Sequence, residues 1–497
     1  MKGDKNNTVF IISLIICAAI AVWAVFLNAN FTVVSNAIFN FFTVNFGWLY
    51  MLAMLAFVIY AVILACSKYG KIKLGPDDSV PEYSTVSWFA MLFGCGMGVG
   101  LVFWGISEPL SHYIAPIAGL EPGSPEAAEF AFKASYMHWG IHPWANYSII
   151  GLALAYFQFR KNKPGLISTT LEPLIGEKGV NGGIGKLVDI LAVFATVAGV
   201  VTSLGLGVLQ INSGMNFLFG LPATLVVQIA IITVISVVYI GTAVAGIEKG
   251  ISVISDLNLY IAIGLMTICF LVGPKLDVLN NLVSGVGQYM QNFIVDSLNM
   301  VTYGDNTWTL GWRIFYWAWW IAWAPFVGVF IARISKGRTI REFVAGVVLV
   351  PAIASIIWFA IFGSMGVTLG AKGILSMEQM AEISGTPEVG LFVVMQKYPL
   401  GMVLSLVSIV LLCTFFITSA NSGTFVLSML SSAGDLNPPK SKMLLWGVVQ
   451  SVMAVGMLIA GGLKPLQTIS IAAAFPFIFI MFAVMVSLVL ALRKEKV

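Results

Sequence analysis

The chain has 497 residues, of which 59% are hydrophobic and only 10% charged, with a mean hydropathy of +0.94. Soluble domains carry about 25% charged residues, so this composition excludes a soluble globular protein and predicts one integral, polytopic membrane domain. The net charge of +4 comes from basic residues scattered over short loops, which leaves no footprint for nucleic acid.

Met1 to Asn7 is short and polar. The apolar run after it is too long and bulky for a cleaved signal, so it is read as the first span. A crossing takes roughly 20 apolar residues. About twelve stretches qualify on that length: near 8–28, 47–67, 86–110, 138–159, 187–211, 223–245, 251–273, 311–334, 341–367, 399–430, 442–462 and 466–492. The expected fold class is therefore all-α. The cysteines Cys17, Cys66, Cys95, Cys269 and Cys413 fall in apolar runs without metal-type spacing and do not suggest a disulfide framework.

With the N-terminus inside, about 20 of the basic residues fall on the cytoplasmic side and about 6 outside, the bias expected of cytoplasmic loops. That places both termini in the cytoplasm. The outer loops lean acidic, with Glu121, Glu126, Glu129, Asp296, Asp305, Glu378, Glu382 and Glu388. Between the seventh and eighth spans, the apolar residues of 279–300 recur at helical spacing, which predicts an amphipathic helix lying in the interface.

Two spans carry helix-breaking residues. The third contains Gly94, Gly96, Gly98 and Gly100, and the eighth contains Pro325 and Gly328. They stand five spans apart, so each falls where one of two five-helix repeats would open. Interrupted helices at matching places in two halves point to a transporter's substrate site; close helix packing is the alternative for the glycines.

The eighth span holds Trp317, Trp319, Trp320 and Trp323. Aromatic rings in spans usually gather at the water interfaces. A cluster inside the span reads as packing between helices or as the wall of a cavity whose π faces attract a quaternary ammonium. The fourth span opens with His138, Trp139, His142, Pro143, Trp144, Asn146 and Tyr147. Trp144 and Tyr147 share a helix face, and Pro143 would bend Trp139 towards them and Trp320; an interfacial aromatic belt is the alternative. His138 and His142 lie four apart but outside any H-E-x-x-H pattern, so they read as packing or hydrogen-bonding residues.

No G-x-x-x-x-G-K-[ST] loop is present, which argues against direct drive by ATP. The tenth span clusters Thr418, Ser419, Asn421 and Ser422. Hydroxyls at that depth satisfy themselves on their own helix or line a wet cavity, where they suit a hard cation that wants oxygens. Glu108, Asp189 and Asp256 are near span ends, which suggests interfacial or gating roles. No nucleophile–base pair suggests an enzyme.

The motifs G-M-G-V-G-L-V-F-W-G-I-S-E-P-L, H-W-G-I-H-P-W-A-N-Y, G-K-L-V-D-I-L-A-V-F-A-T and F-Y-W-A-W-W-I-A-W-A-P-F-V-G-V-F-I-A-R-I-S-K-G-R-T-I-R-E-F closely resemble the betaine/carnitine/choline transporter family. The resemblance runs over about 45–490 and implies a LeuT-like core of two inverted five-helix repeats. On it, 1–85 holds two helices outside the core, 86–273 the first repeat, 274–310 the amphipathic segment, 311–492 the second repeat and 493–497 a short tail. It also implies a homotrimer in a bacterial inner membrane.

Carried over by motif, the substrate box is Trp139, Trp144, Tyr147 and Trp320, beside the glycine run Gly96, Gly98 and Gly100, with Trp319 and Trp323 lining the adjoining path. A sodium site draws on carbonyls of Gly94, Met97 and Phe415 and on the Thr418 and Ser419 hydroxyls. A second site pairs two threonines with Phe326; Thr196 matches the first, but Val200 stands where the second would be. Choline carriers have an aspartate at the Gly100 position. Carnitine exchangers have an arginine matched here by Leu259 and a methionine matched by Val327. These departures imply sodium-driven uptake of glycine betaine or a related compatible solute, with Na+ as coupling ion and no cofactor. The alternative is a sodium-independent carnitine/betaine exchanger or a proton-coupled choline importer.

Overall fold

The computed structural model describes residues 2–496 apart from Met97, Gly246 and Ile247. The first helices are α1 (Lys2–Phe26), α2 (Asn28–Cys66), α3 (Thr85–Gly96), α4 (Val99–Ile114), α5 (Pro125–Trp139), α6 (Ile141–Ala155), α7 (Glu172–Asn181), α8 (Gly183–Phe219), α9 (Leu225–Ala245) and α10 (Glu248–Val272). Then come α11 (Lys275–Gln291), α12 (Phe293–Leu298), α13 (Ile314–Arg333), α14 (Ile340–Ala371), α15 (Met377–Gly385), α16 (Gly390–Met395), α17 (Gly401–Leu430), α18 (Lys440–Ile459) and α19 (Leu463–Leu492).

Among the described residues, ten helices are long and apolar enough to cross a membrane, or eleven when the bent pair α3–α4 is taken as one span. The remaining expected crossing is α6, whose α-helical part is only 15 residues before it widens into a π-helical turn, Tyr156–Arg160. It is shorter than the expected span because a corner at Gly140 assigns its first residues to α5. The second span is longer than expected. Residues 29–46 are helical too, and α2 runs for 39 residues. Five asparagines, Asn28, Asn30, Asn36, Asn40 and Asn45, lower the hydropathy there, and all five are exposed. Phe31, Ser35, Phe39 and Thr43 bury at every fourth position along one stripe, as an amphipathic helix requires.

The bundle has a centre and a rim. In α8 and α13, 83% of the most apolar stretch is buried inside the protein, against 22% in α9 and α10. A helix apolar all round belongs either in a core or against lipid, and burial separates the two cases. α13 packs on α6, α8, α19 and α2. It crosses α6 at a point without side-chain bulk: a Cβ on Gly328 would lie 2.6 Å from Ile150 Cγ2 and 3.1 Å from the Gly151 nitrogen.

The expected break in the eighth span does not occur, because α13 is continuous from Ile314 to Arg333 with Pro325 inside it. A proline removes one helical hydrogen bond and crowds the preceding turn, but α13 is held on several sides. Its irregular part comes before Ile314, as a π-helical turn over Thr309–Arg313. The third span does break: α3 and α4 meet at 64°. The amphipathic helix predicted over 279–300 is present in two pieces, α11 and α12. Leu276, Leu279, Val283, Met290 and Ile294 are exposed on it, while Val278, Gly285 and Tyr289 pack inward.

Polar ties close the side opposite the acidic loops. Leu74 N–H donates to the Arg338 carbonyl and Gly337 N–H to the Leu74 carbonyl, both at 2.8 Å. Gly337 has φ +83°, and a Cβ there would strike the Val80 carbonyl. The capping box of Thr339 and Glu342 then starts α14. Glu495 is gripped by Arg160 at 2.8 Å and Lys161 at 2.7 Å and accepts from the Tyr156 hydroxyl at 2.8 Å. The Arg160 guanidinium, with Lys161 and Tyr156 helping, holds the Glu495 carboxyl down at about 2.

Candidate functional site

The corner between α5 and α6 positions the aromatic residues. Gly140 sits there at φ −90° and ψ −125°, against the Tyr136 carbonyl and 3.2 Å from the Tyr289 ring if a Cβ is added. The bend is at Gly140, not at Pro143. Pro143 lies in the first turn of α6, where a backbone N–H has no helical partner to lose. Trp139 therefore ends α5, while Trp144 and Tyr147 rise from the first two turns of α6.

The structure brings the four box residues together. Trp139 meets Trp320 edge to face at 4.8 Å and 73°. Tyr147 stands edge-on to Trp320 at 6.3 Å, and Trp144 edge-on to Tyr147 at 5.3 Å. All four are 4–6% exposed. Two of the indoles are tied off: Trp320 Nε1 donates to the His138 carbonyl and Trp139 Nε1 to Glu108, while Asn146 Nδ2 holds the Trp320 carbonyl, each at 2.8 Å. Trp319 stacks on Trp320 at 4.7 Å and 13°, backing it. Trp323 is half-buried, edge-on to Phe326 at 5.2 Å, and packs so closely on α8 that a Cβ at Gly199 would collide with it.

Of the glycine run, Gly100 is the one seen to touch the box. A Cβ there would lie 2.9 Å from both Trp139 Cη2 and Trp319 Cη2, closer than real carbon contacts, so only glycine fits without moving a ring. Gly98 precedes α4 in extended conformation, and a Cβ on Gly94 or Gly98 would meet nothing within 4 Å. Gly96 ends α3, and Met97 lies outside the described residues.

The Thr418 hydroxyl, 9% exposed, donates back to the carbonyls of Thr414 at 3.0 Å and Phe415 at 3.2 Å. Ser419 is half-buried one residue on. Asn258, which the sequence reading passed over in favour of Leu259, reaches Thr418 from α10 at 3.3 Å. Its own Oδ1 is buried without a partner. An unpaired buried oxygen beside a hydroxyl and a helix carbonyl suits a small hard cation, so these residues fit a sodium ion. Elsewhere the Thr196 hydroxyl turns back on the Ala192 carbonyl at 2.8 Å, and Val200 presents methyl groups to Gly423. Asn421 bonds to α9 through the Tyr239 carbonyl at 3.2 Å.

Glu108 is fully buried inside the protein. It bonds to His112, His138, Trp139 and Tyr316. His112 at i+4 was legible as a partner; the others come from α5 and α13, and nothing in α4 announces them. His142 bonds to Ser297 at 2.8 Å. Asp189 accepts from Ser168 N–H and Oγ, and Asp256 is exposed.

A multi-pass helical membrane protein with a buried aromatic box has the architecture of a solute carrier rather than of an enzyme. The sequence pattern described as "BCCT, betaine/carnitine/choline family transporter" matches residues 8–497, and the chain belongs to that family. It is 46% identical to the glycine betaine transporter OpuD of Bacillus subtilis (strain 168), over 99% of this chain and 95% of that one. It is 42% identical to the ectoine/hydroxyectoine transporter of Virgibacillus pantothenticus, over 99% and 98% of the two chains. It is 36% identical to the osmo-dependent choline transporter BetT2 of Acinetobacter baylyi, over 99% of this chain and 72% of that one.

Proposed function

We propose that the protein imports glycine betaine, or a close trimethylammonium zwitterion, by sodium symport with alternating access. The observation that carries this reading is the convergence of Trp139, Trp144, Tyr147 and Trp320, with the Trp139 and Trp320 indoles tied off. What such a box offers a ligand is ring faces, and a trimethylammonium group, which cannot hydrogen-bond, gains about 2 kcal/mol from a desolvated ring face. The tight fit of Gly100 between two tryptophans supports a zwitterion over choline, since an aspartate for a bare cation has no room there.

Carbonyls of Gly94, Met97 and Phe415, hydroxyls of Thr418 and Ser419, and Asn258 Oδ1 would hold the sodium ion, which supplies the driving gradient. Val200 offers no oxygen, so Thr196 and Phe326 leave a second site incomplete. The outward apolar residues of α11 and α12 support contacts between copies in a homotrimer. The bias of basic residues supports an inner-membrane carrier with both termini in the cytoplasm.

The test is uptake of labelled glycine betaine into proteoliposomes with an inward sodium gradient or with potassium in its place. Accumulation only with sodium is expected. Equal uptake in both salts, or uptake that needs substrate preloaded inside, would place the chain with sodium-independent exchangers or proton-coupled importers.

A further inference from the structure

The carboxylate of Glu108 lies behind the box, and its four hydrogen bonds divide in pairs. Oε2 accepts from the Trp139 indole N–H at 2.8 Å and from the Tyr316 hydroxyl. Oε1 lies 2.7 Å from His138 Nδ1 and 3.3 Å from His112 Nε2. The Trp308 indole, which can only donate, meets His112 Nδ1 at 3.1 Å, so His112 carries its proton on Nε2, facing Glu108. Trp139 and His112 can only donate to this carboxyl, and a proton on it would turn the Tyr316 hydroxyl or His138 Nδ1 from donor to acceptor. The ionised carboxylate is the form that takes all four donors.

The same donors argue against a metal, although the ligand atoms of Glu108, His112 and His138 lie within 4.8 Å of one another. Freeing His112 Nε2 for a metal would make Nδ1 a donor facing the Trp308 donor. Freeing His138 Nδ1 would put a proton on Nε2, which is buried without a partner.

Both rings on Oε2 touch Trp320. Trp139 is edge to face with it at 4.8 Å, and Tyr316 is stacked on it at 5.7 Å and 30°. The backbone of His138 holds the Trp320 indole, so the histidine on Oε1 fixes the same ring from the other end.

We propose that Glu108 is the positioning residue of the box and the source of its charge preference. Its hydrogen bond to the Trp139 indole fixes that ring and pushes electron density into it. A negative charge held behind the rings in a water-poor interior adds attraction that bulk solvent would screen. The box thereby favours a cationic head group over a neutral one of the same shape. This inference rests on the trimethylammonium reading of the site and adds what sets its selectivity.

The test compares glycine betaine with 3,3-dimethylbutanoate, its isostere with carbon in place of the ammonium nitrogen, by tryptophan-fluorescence titration of the purified full-length carrier. In Glu108→Gln the preference for glycine betaine is expected to fall about tenfold, while affinity for the carbon isostere moves less than about twofold. Glu108→Asp, which keeps the charge, should recover most of the preference. An unchanged preference in Glu108→Gln, or equal weakening of both ligands, would overturn the role of Glu108 alone. Wild-type protein that binds neither ligand would overturn the substrate reading and this inference with it. Should the glutamine variant not fold, the wild-type minus Trp139→Phe difference resonance Raman spectrum decides: a strongly hydrogen-bonded indole N–H supports the proposal, and a free one sinks it.

Discussion

The third and eighth spans carry comparable helix-breaking signals and fold differently. The glycine-rich one bends by 64° between α3 and α4, while the proline-bearing one stays a continuous helix. Glycine costs a helix roughly 1 kcal/mol per residue through backbone freedom, and four within 94–100 thin out the side chains that would hold the chain in register. A single proline costs more locally, but α13 is gripped through its buried tryptophans and the Gly328–Ile150 contact. The comparison sets a rigid helix that carries four tryptophans against a span that turns in its middle.

The largest effect tests the rigid half. Trp320→Leu removes a ring face worth about 2 kcal/mol, roughly 30-fold in affinity, and leaves a monodisperse protein on size exclusion. Wild-type uptake kinetics in this variant would end the box assignment. Gly100→Asp strikes where the two halves meet. The new side chain collides with Trp139 and Trp319, and overpacking of about 1–3 kcal/mol should weaken glycine betaine binding by roughly tenfold or more. Gain of choline uptake at wild-type rates would show that the rings yield.

Thr418→Val addresses the ion site proposed where α17 meets the broken span. Losing one charged-group contact of about 1.5 kcal/mol should raise the sodium concentration for half-maximal uptake roughly tenfold, with saturating uptake preserved. Pro325→Ala sharpens the comparison from the other side. Because α13 is already continuous, uptake should stay within about twofold; a tenfold loss would give the proline a part in transport.

The smallest effect lies away from both halves. The Glu495 carboxyl is held below its ordinary 4.5, at about 2. Its tie to Arg160 and Lys161 is therefore complete above pH 4.5 and is lost as the pH falls towards 2. A spin label at Lys496→Cys should be immobile at pH 7 and loosen only below about pH 3.

Helix content and the amphipathic segment were legible because each is local, through apolar length and helical spacing. Of the box only Trp144 and Tyr147, three apart on α6, are local, and Trp139 and Trp320 were joined to them by motif. The corner at Gly140 was not, since Pro143 is the stronger local signal and the glycine acts through contacts with Tyr136 and Tyr289. Asn258 was missed for a similar reason. Motif matching selected its neighbour Leu259, and only the packing of α10 on α17 turns the amide towards Thr418. Glu108 shows the limit most plainly. The sequence puts it at the end of a span, but its partners at Trp139 and Tyr316 are 31 and 208 positions away, and no periodicity reports that distance.

One long element has a mechanical consequence. At 39 residues and 1.5 Å per residue, α2 is about 58 Å long, nearly twice the hydrocarbon thickness of about 30 Å. Such a rod cannot stand upright within the membrane, so it leans or runs out along the headgroups. Ile59, Val62 and Ile63 are exposed on its outer side, while its other side packs on α19 and α6, the helix that bears Trp144 and Tyr147. Bilayer thickness is thereby a load on the lever beside the site, and acyl-chain length is a way to vary that load without changing a residue.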